Sequence, residues 1–124
     1  MGVQINPPRR LLVVEDDRDV RETLEWLLRD MGHIVEAEAD GIRAVEAATR
    51  GSFDLALIDI GLPGLDGYEV AHLIRKRVGS KLRLVALSGY GGLEARKRSR
   101  EAGFDLHLTK PYDLEGLRNL IAEG

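Results

Sequence analysis

The sequence predicts a doubly wound α/β domain, a five-stranded parallel sheet of strand order 2-1-3-4-5 with helices on both faces. Two observations carry that expectation. Short apolar runs alternate with segments of helical period five times along the chain, and parallel neighbouring strands need helical crossovers, which are right-handed. The pattern fits within 124 residues, the length of one ordinary domain. For five βα units this strand order is a common one, and ligands bind outside the carboxyl ends of the strands at the switch point between the first and third.

The elements follow in order. Leu11-Leu12-Val13-Val14 is a β-prone run suited to a strand buried on both faces, and it ends in Glu15-Asp16-Asp17. Val20, Leu24, Leu27, Leu28 and Met31 recur on one helical stripe, and Gly32 stops that helix. Trp26 falls well away from the stripe, on the outer face. Residues 33–37 read as a short strand, and residues 41–49 as a helix ended by Gly51. Residues 55–58 form a second buried run, closed by Asp59. A helix over 68–78, a strand over 82–87, a helix over 93–102 stopped by Gly103, a strand over 106–109 and a helix over 114–122 complete the alternation. The Gly89-Tyr90-Gly91-Gly92 turn lacks phosphate-loop spacing and reads as a flexible loop. The opening residues 1–8, with Pro7-Pro8, read as a leader or linker, and residues 9–124 as the domain.

Composition narrows the function. With 44% hydrophobic and 31% charged residues the chain has the make-up of a globular protein. Eighteen Lys plus Arg against 21 Asp plus Glu leave a net charge of −3, which argues against dominant attraction to nucleic acid or to a membrane surface. Zero cysteines exclude a disulfide framework, a zinc-thiolate site and a cysteine nucleophile. No run approaches the roughly 18 apolar residues of a membrane helix, so a cytoplasmic location is expected.

The polar residues after the buried runs converge at one sheet edge. The first strand delivers Glu15, Asp16 and Asp17, the third Asp59, the fourth Ser88 and the fifth Lys110. Carboxylates crowded at the switch point need a cation, and hard oxygen donors without His or Cys favour Mg²⁺. A lysine to neutralise phosphoryl oxygens and a hydroxyl to hydrogen-bond them complete a phosphoryl-transfer site, with an aspartate as nucleophile. No GxxxxGK[ST] loop is present to bind and split a nucleoside triphosphate. Asp17 reads as a helix N-cap.

LLVVEDD (11–17), LIDIGLPGLDG (57–67), LVALSG (84–89) and HLTKP (107–111) stand in the order of the response-regulator receiver domain. Over residues 10–122 the chain closely resembles that family, the CheY-like, flavodoxin-like (βα)5 phosphoacceptors of two-component signalling. The resemblance implies that Asp59 is phosphorylated and that Glu15, Asp16, Asp59 and the carbonyl of Gly61 hold Mg²⁺. It implies that Ser88 is the switch hydroxyl, Lys110 the ammonium at the phosphoryl group, and Lys110-Pro111 a cis bond. The donor would be a sensor histidine kinase or a histidine phosphotransfer domain, docking near Val20, the 88–92 loop with Tyr90, and Pro111. GLPGLDGYEVA, LSGYG and AGFDLHLTKP most resemble receivers of hybrid sensor kinases. A single-domain regulator is the other form expected. One departure stands out: the family's aromatic switch position is His107 here, which also reads as a partly buried packing residue.

Two other functions compete. Small phosphohydrolases also use an aspartyl nucleophile with Mg²⁺, but they resemble DxDx[TV], where this chain has Asp59-Ile60-Gly61. A phosphorylation-independent interaction module would not need the full set of acid, hydroxyl and lysine. The chain is therefore expected to be a signalling domain that promotes only its own phosphorylation and dephosphorylation. The run Arg96-Lys97-Arg98-Ser99-Arg100 reads as a solvated helical face.

Overall fold

The computed structural model describes residues 7–123. Along them run β1 (Arg10–Val14), α1 (Arg18–Asp30), β2 (Ile34–Glu38), α2 (Gly41–Arg50), β3 (Leu55–Asp59), α3 (Gly67–Val78), β4 (Arg83–Ser88), α4 (Leu93–Ala102), β5 (Leu106–Thr109) and α5 (Leu114–Glu123). The strands pair in parallel in the order β2-β1-β3-β4-β5, as expected. Of the expected leader, residues 1–6 lie outside the described residues, while Pro7 and Pro8 are exposed and in no strand or helix.

The apolar runs of β1 and β3 are fully buried because both faces of the sheet are covered. Alternate residues serve opposite sides. Leu12, Val14, Ala56, Ile58, Leu84 and Ala86 pack with Ala44, Val45 and Ala48 of α2 and Val70, Ala71 and Ile74 of α3. Leu11, Val13, Leu55, Leu57, Val85 and Leu87 pack with Leu24 and Leu28 of α1 and Leu117 and Ile121 of α5. Truncating one of these leucines to alanine removes about 2–5 kcal/mol.

Element ends depart from the periodicity by a residue or two, for local reasons. Helix α1 begins at Arg18, ahead of its first apolar residue, because the Asp17 side chain caps it by accepting from the Val20 amide at 3.0 Å. Residue 33 belongs to the turn leaving α1, its amide donating to the Leu28 carbonyl at 3.2 Å, so β2 starts one residue later. Leu82 is buried, but its carbonyl accepts from the Arg75 guanidinium, and β4 runs from Arg83 through Ser88. Trp26 lies on the outer face of α1, 64% exposed.

Helix α4 differs from the rest. It has no side-chain N-cap, and its one buried residue is Ser99. Its C-terminal turn is held from α3, where Arg75 Nε donates to the Gly103 carbonyl at 2.9 Å and the Arg75 guanidinium pairs with Asp105.

His33, at the bottom of the sheet, accepts a hydrogen bond on Nδ1 from the Arg9 amide at 3.1 Å. Burial, then the charge of Arg9, holds its pKa below the ordinary value of about 6.5. The unfolded chain therefore binds the proton more readily, and stability falls as pH drops through that value toward the folded one. Urea midpoints taken between about pH 7.5 and 5.5 should decline, and His33→Gln should flatten the decline. An equal slope in both proteins would refute the assignment.

Candidate functional site

Parallel register levels the strand ends. Val14 lies beside Ile58, Asp59 beside Leu87 and Ser88 beside Thr109. The residues that follow or close these strands, Glu15, Asp59, Ser88 and Lys110, therefore come to one edge.

Glu15 extends β1 by one bond, its amide donating to the Glu38 carbonyl at 3.1 Å, and its side chain is buried. One carboxylate oxygen accepts from the Asp17 amide at 3.1 Å. Burial pushes the Glu15 carboxyl above its ordinary range against the pull of the Asp17 amide, with the Asp59 charge adding to the rise and Lys110 opposing it. Asp16 is exposed. The Arg21 guanidinium fixes this turn by donating to the carbonyls of Glu15 at 2.9 Å and Asp16 at 3.2 Å. Glu15, Asp16 and Asp59 each bring a carboxylate oxygen to within 4.8 Å of one another.

Asp59 ends β3 nearly buried. Its Oδ1 accepts from Lys110 Nζ at 2.9 Å and from the Gly61 amide at 3.3 Å. The same ammonium lies 3.7 Å from Glu15 Oε1. Burial works against the Lys110 charge, but the hydrogen bond and charge of Asp59, with the charge of Glu15, outweigh it and raise the lysine pKa. The Lys110-Pro111 peptide is cis, as the resemblance implied.

Ser88, closing β4, is buried, and its Oγ accepts from the Tyr90 amide at 3.0 Å. Its carbonyl accepts from the Lys110 amide at 2.7 Å, so the backbone joins the hydroxyl to the lysine. The 89–92 turn, expected to be a flexible loop, is tied at several points. His107 Nε2 meets the Tyr90 carbonyl at 2.9 Å, and Arg96 Nε donates to the Gly91 carbonyl at 3.0 Å. Gly91 lies so close to β5 that a Cβ there would stand 2.6 Å from Thr109 Oγ1. That hydroxyl is buried with no hydrogen-bond partner among the described residues.

The other expected site residues are spread around this edge. His107 does not reach the carboxylates; its ring lies between Tyr90 and Ser99. Val20 and Tyr90 border different clefts. Val20 lines an apolar one of about 340 Å³ with Thr23, Leu24, Leu27 and Tyr112. Tyr90 lines a wider one of about 820 Å³ between α3 and α4 with Tyr68, Lys97 and Arg98, where the Arg98 guanidinium sits 4.2 Å from the centre of the Tyr68 ring. The cations at 96, 97, 98 and 100 are exposed.

Sequence reasoning missed Gly67. The first turn of α3 is laid directly on the Asp59 backbone, where a Cβ would stand 2.7 Å from the Asp59 carbonyl oxygen and 2.7 Å from the Ile60 Cα. Its only signal is the Asp66-Gly67 pair, in which Asp66 forms a capping box with Glu69.

The family model of the response regulator receiver domain matches residues 11–122. The chain belongs to the response regulator receiver family. Among related receivers, that of the sensor histidine kinase PA1611 from Pseudomonas aeruginosa, solved with a magnesium ion coordinated in its active site cleft, superposes with a TM-score of 0.86 at 32% identity over 94% of this chain and 97% of that one. The transcriptional regulatory protein TcrA of Mycobacterium tuberculosis is 39% identical over 109 residues, 87% of this chain. This receiver spans only 42% of TcrA, and under half of the other curated relatives of that kind. The sporulation initiation phosphotransferase F of Bacillus subtilis is 29% identical over 90% of both chains. Receivers of this family take phosphoryl groups from histidine kinases or phosphotransfer partners. No described helix is long and apolar enough to cross a membrane.

Gly67→Ala should lower the unfolding free energy by about 1–3 kcal/mol, because the methyl group meets backbone that cannot yield without moving Asp59. Urea denaturation measures this, and an unchanged midpoint would show that α3 can shift freely.

Proposed function

We propose that this receiver takes a phosphoryl group from a phosphohistidine of a sensor histidine kinase or histidine phosphotransfer domain onto Asp59, in a Mg²⁺-dependent reaction. The observation that carries the reading is the Asp59 carboxylate, held by Lys110 at 2.9 Å beside two further carboxylates. Three acids against one ammonium leave an excess of negative charge in a largely buried corner, and the donors are all hard oxygens, the set that Mg²⁺ prefers. Glu15, Asp16, Asp59 and the Gly61 carbonyl would hold the ion. Bound there, it would neutralise the crowded carboxylates and polarise a phosphoryl oxygen.

The chain's own residues account for the rest. An Asp59 carboxylate oxygen attacks phosphorus as the bond from phosphorus to the donor imidazole breaks, and the departing imidazole keeps the bonding pair and takes a proton. Lys110 remains beside the new acyl phosphate and offsets charge on its oxygens. Ser88 Oγ already accepts from Tyr90, so its own hydrogen is available to a phosphoryl oxygen. The apolar cleft bordered by Val20, Leu27 and Tyr112 suits the apolar face of a donor helix, and Tyr90, 78% exposed, flanks the loop beside Ser88. Phosphorylation is read as a change at the face of α4 and β5.

Likeness to the PA1611 receiver supports the receiver of a hybrid sensor kinase, and the match over 90% of both chains to phosphotransferase F supports a single-domain regulator. In either form the domain promotes only its own phosphorylation and dephosphorylation. A cytoplasmic location and a role without nucleic acid belong to the same reading, the latter on the net charge of −3.

Asp59→Asn should fold as the parent does yet gain no phosphoryl mass on incubation with phosphoramidate and Mg²⁺, because the amide has nearly the same shape but is not nucleophilic. Labelling of that variant at the parent rate would sink the assignment. Asp16→Ala should weaken Mg²⁺ affinity at least about 10-fold, followed by calorimetry. An unaltered Mg²⁺ titration would remove Asp16 from the metal site.

A further inference from the structure

Helix α4 buries one side chain, and it is polar. Ser99 is 2% exposed, and its Oγ lies 3.2 Å from His107 Nδ1. The opposite ring nitrogen, Nε2, lies 2.9 Å from the Tyr90 carbonyl oxygen. The amide of the same Tyr90 donates to Ser88 Oγ at 3.0 Å. Four residues from α4, β5, the loop after β4 and the end of β4 thus stand in one hydrogen-bonded line.

Donor chemistry orients that line. A carbonyl oxygen only accepts, so Nε2 must carry the ring hydrogen. In the neutral ring Nδ1 is then bare, and Ser99 is the group beside it with a hydrogen to give. A buried hydroxyl left without that acceptor would cost about as much as a hydrogen bond is worth, so Ser99 favours the one tautomer that can hold Tyr90. The cavity beside the ring, about 210 Å³, is lined by Arg96 and Arg100 of α4 and by Asp105.

We propose that Ser99 and His107 are positioning residues for the phosphoryl site: Ser99 reinforces the His107 tautomer that the Tyr90 carbonyl requires, His107 holds the Tyr90 peptide, and that peptide aims the Ser88 hydroxyl. The line runs both ways. Drawing Ser88 toward a phosphoryl oxygen pulls the Tyr90 amide, and the strain reaches α4 through a polar contact. An aromatic ring at 107 would offer no acceptor to Ser99, so this path depends on the histidine. The proposal rests on the reading that Ser88 receives phosphoryl oxygens.

The test uses the chain with Ser99→Ala, His107→Gln and His107→Leu. Long-range proton–nitrogen correlation spectra report the imidazole tautomer, amide exchange reports the Tyr90 N–H, and mass spectrometry with phosphoramidate and Mg²⁺ reports the rates of Asp59 labelling and loss. Ser99→Ala should turn a single Nε2–H tautomer into a mixture and deprotect the Tyr90 amide. His107→Leu should deprotect it further and change the labelling or loss rate about fivefold, the effect of one neutral hydrogen bond. His107→Gln should restore Tyr90 protection and bring the rates within about twofold of the parent, because the glutamine amide can donate where Nε2 does. Tyr90 exchange and rates equal to the parent in both Ser99→Ala and His107→Leu would overturn the relay. A parent chain that takes no phosphoryl group would instead overturn the phosphoacceptor reading, and the relay's role at that site with it.

Discussion

The contact between the Lys110 ammonium and the Asp59 carboxylate spans 51 positions of sequence and crosses from β5 to β3 over the end of β4. Everything else at the strand ends is fitted around it. The Lys110 amide is anchored on the Ser88 carbonyl, which sets the height of the lysine relative to β4. Glu15 lies on the far side of the same ammonium, so one cation serves two acids that would otherwise repel each other in a region with little water. A lysine is about a third exposed here, so the contact contributes to placement more than to stability.

That arrangement depends on topology. With the order β2-β1-β3-β4-β5, the chain reverses direction across the sheet between β1 and β3, and the helices that follow these two strands leave on opposite faces. The gap between them admits the carboxylates of both strands. Any order that separated β1 from β3 would scatter Glu15, Asp16 and Asp59 and leave each as an ordinary solvated acid or cap.

Much of this was legible in the residues. Buried runs such as Leu11-Leu12-Val13-Val14 and Leu55-Ala56-Leu57-Ile58 carry no polar residue for solvent, so both faces had to be covered, and the acids closing them had to gather at one edge. Helix α1 was plain from its stripe and from the cap at Asp17. What stayed hidden depends on distances between segments remote in sequence. Gly67 looked like a loop glycine, and only the packing of α3 on the Asp59 backbone explains it. The 89–92 turn looked mobile because glycine is permissive, whereas the closeness of Gly91 to Thr109 makes glycine there a requirement of contact. His107 was visible as a departure from the aromatic residue of related receivers, but its bonds to Ser99 and Tyr90 come from helix placement that no local pattern encodes.

A helix whose only buried side chain is a serine gains little from the hydrophobic effect, which holds α2 and α3 down with rows of alanine, valine and isoleucine. Among the five described helices α4 alone buries no apolar side chain, and few buried apolar contacts are the mark of a segment that opens locally below the free energy of global unfolding. Where the gap between two positions of a helix is small, a modest difference in affinity between the two states suffices to repopulate them. The thin packing of α4 thus leaves it able to move without loosening the sheet that holds the acids together.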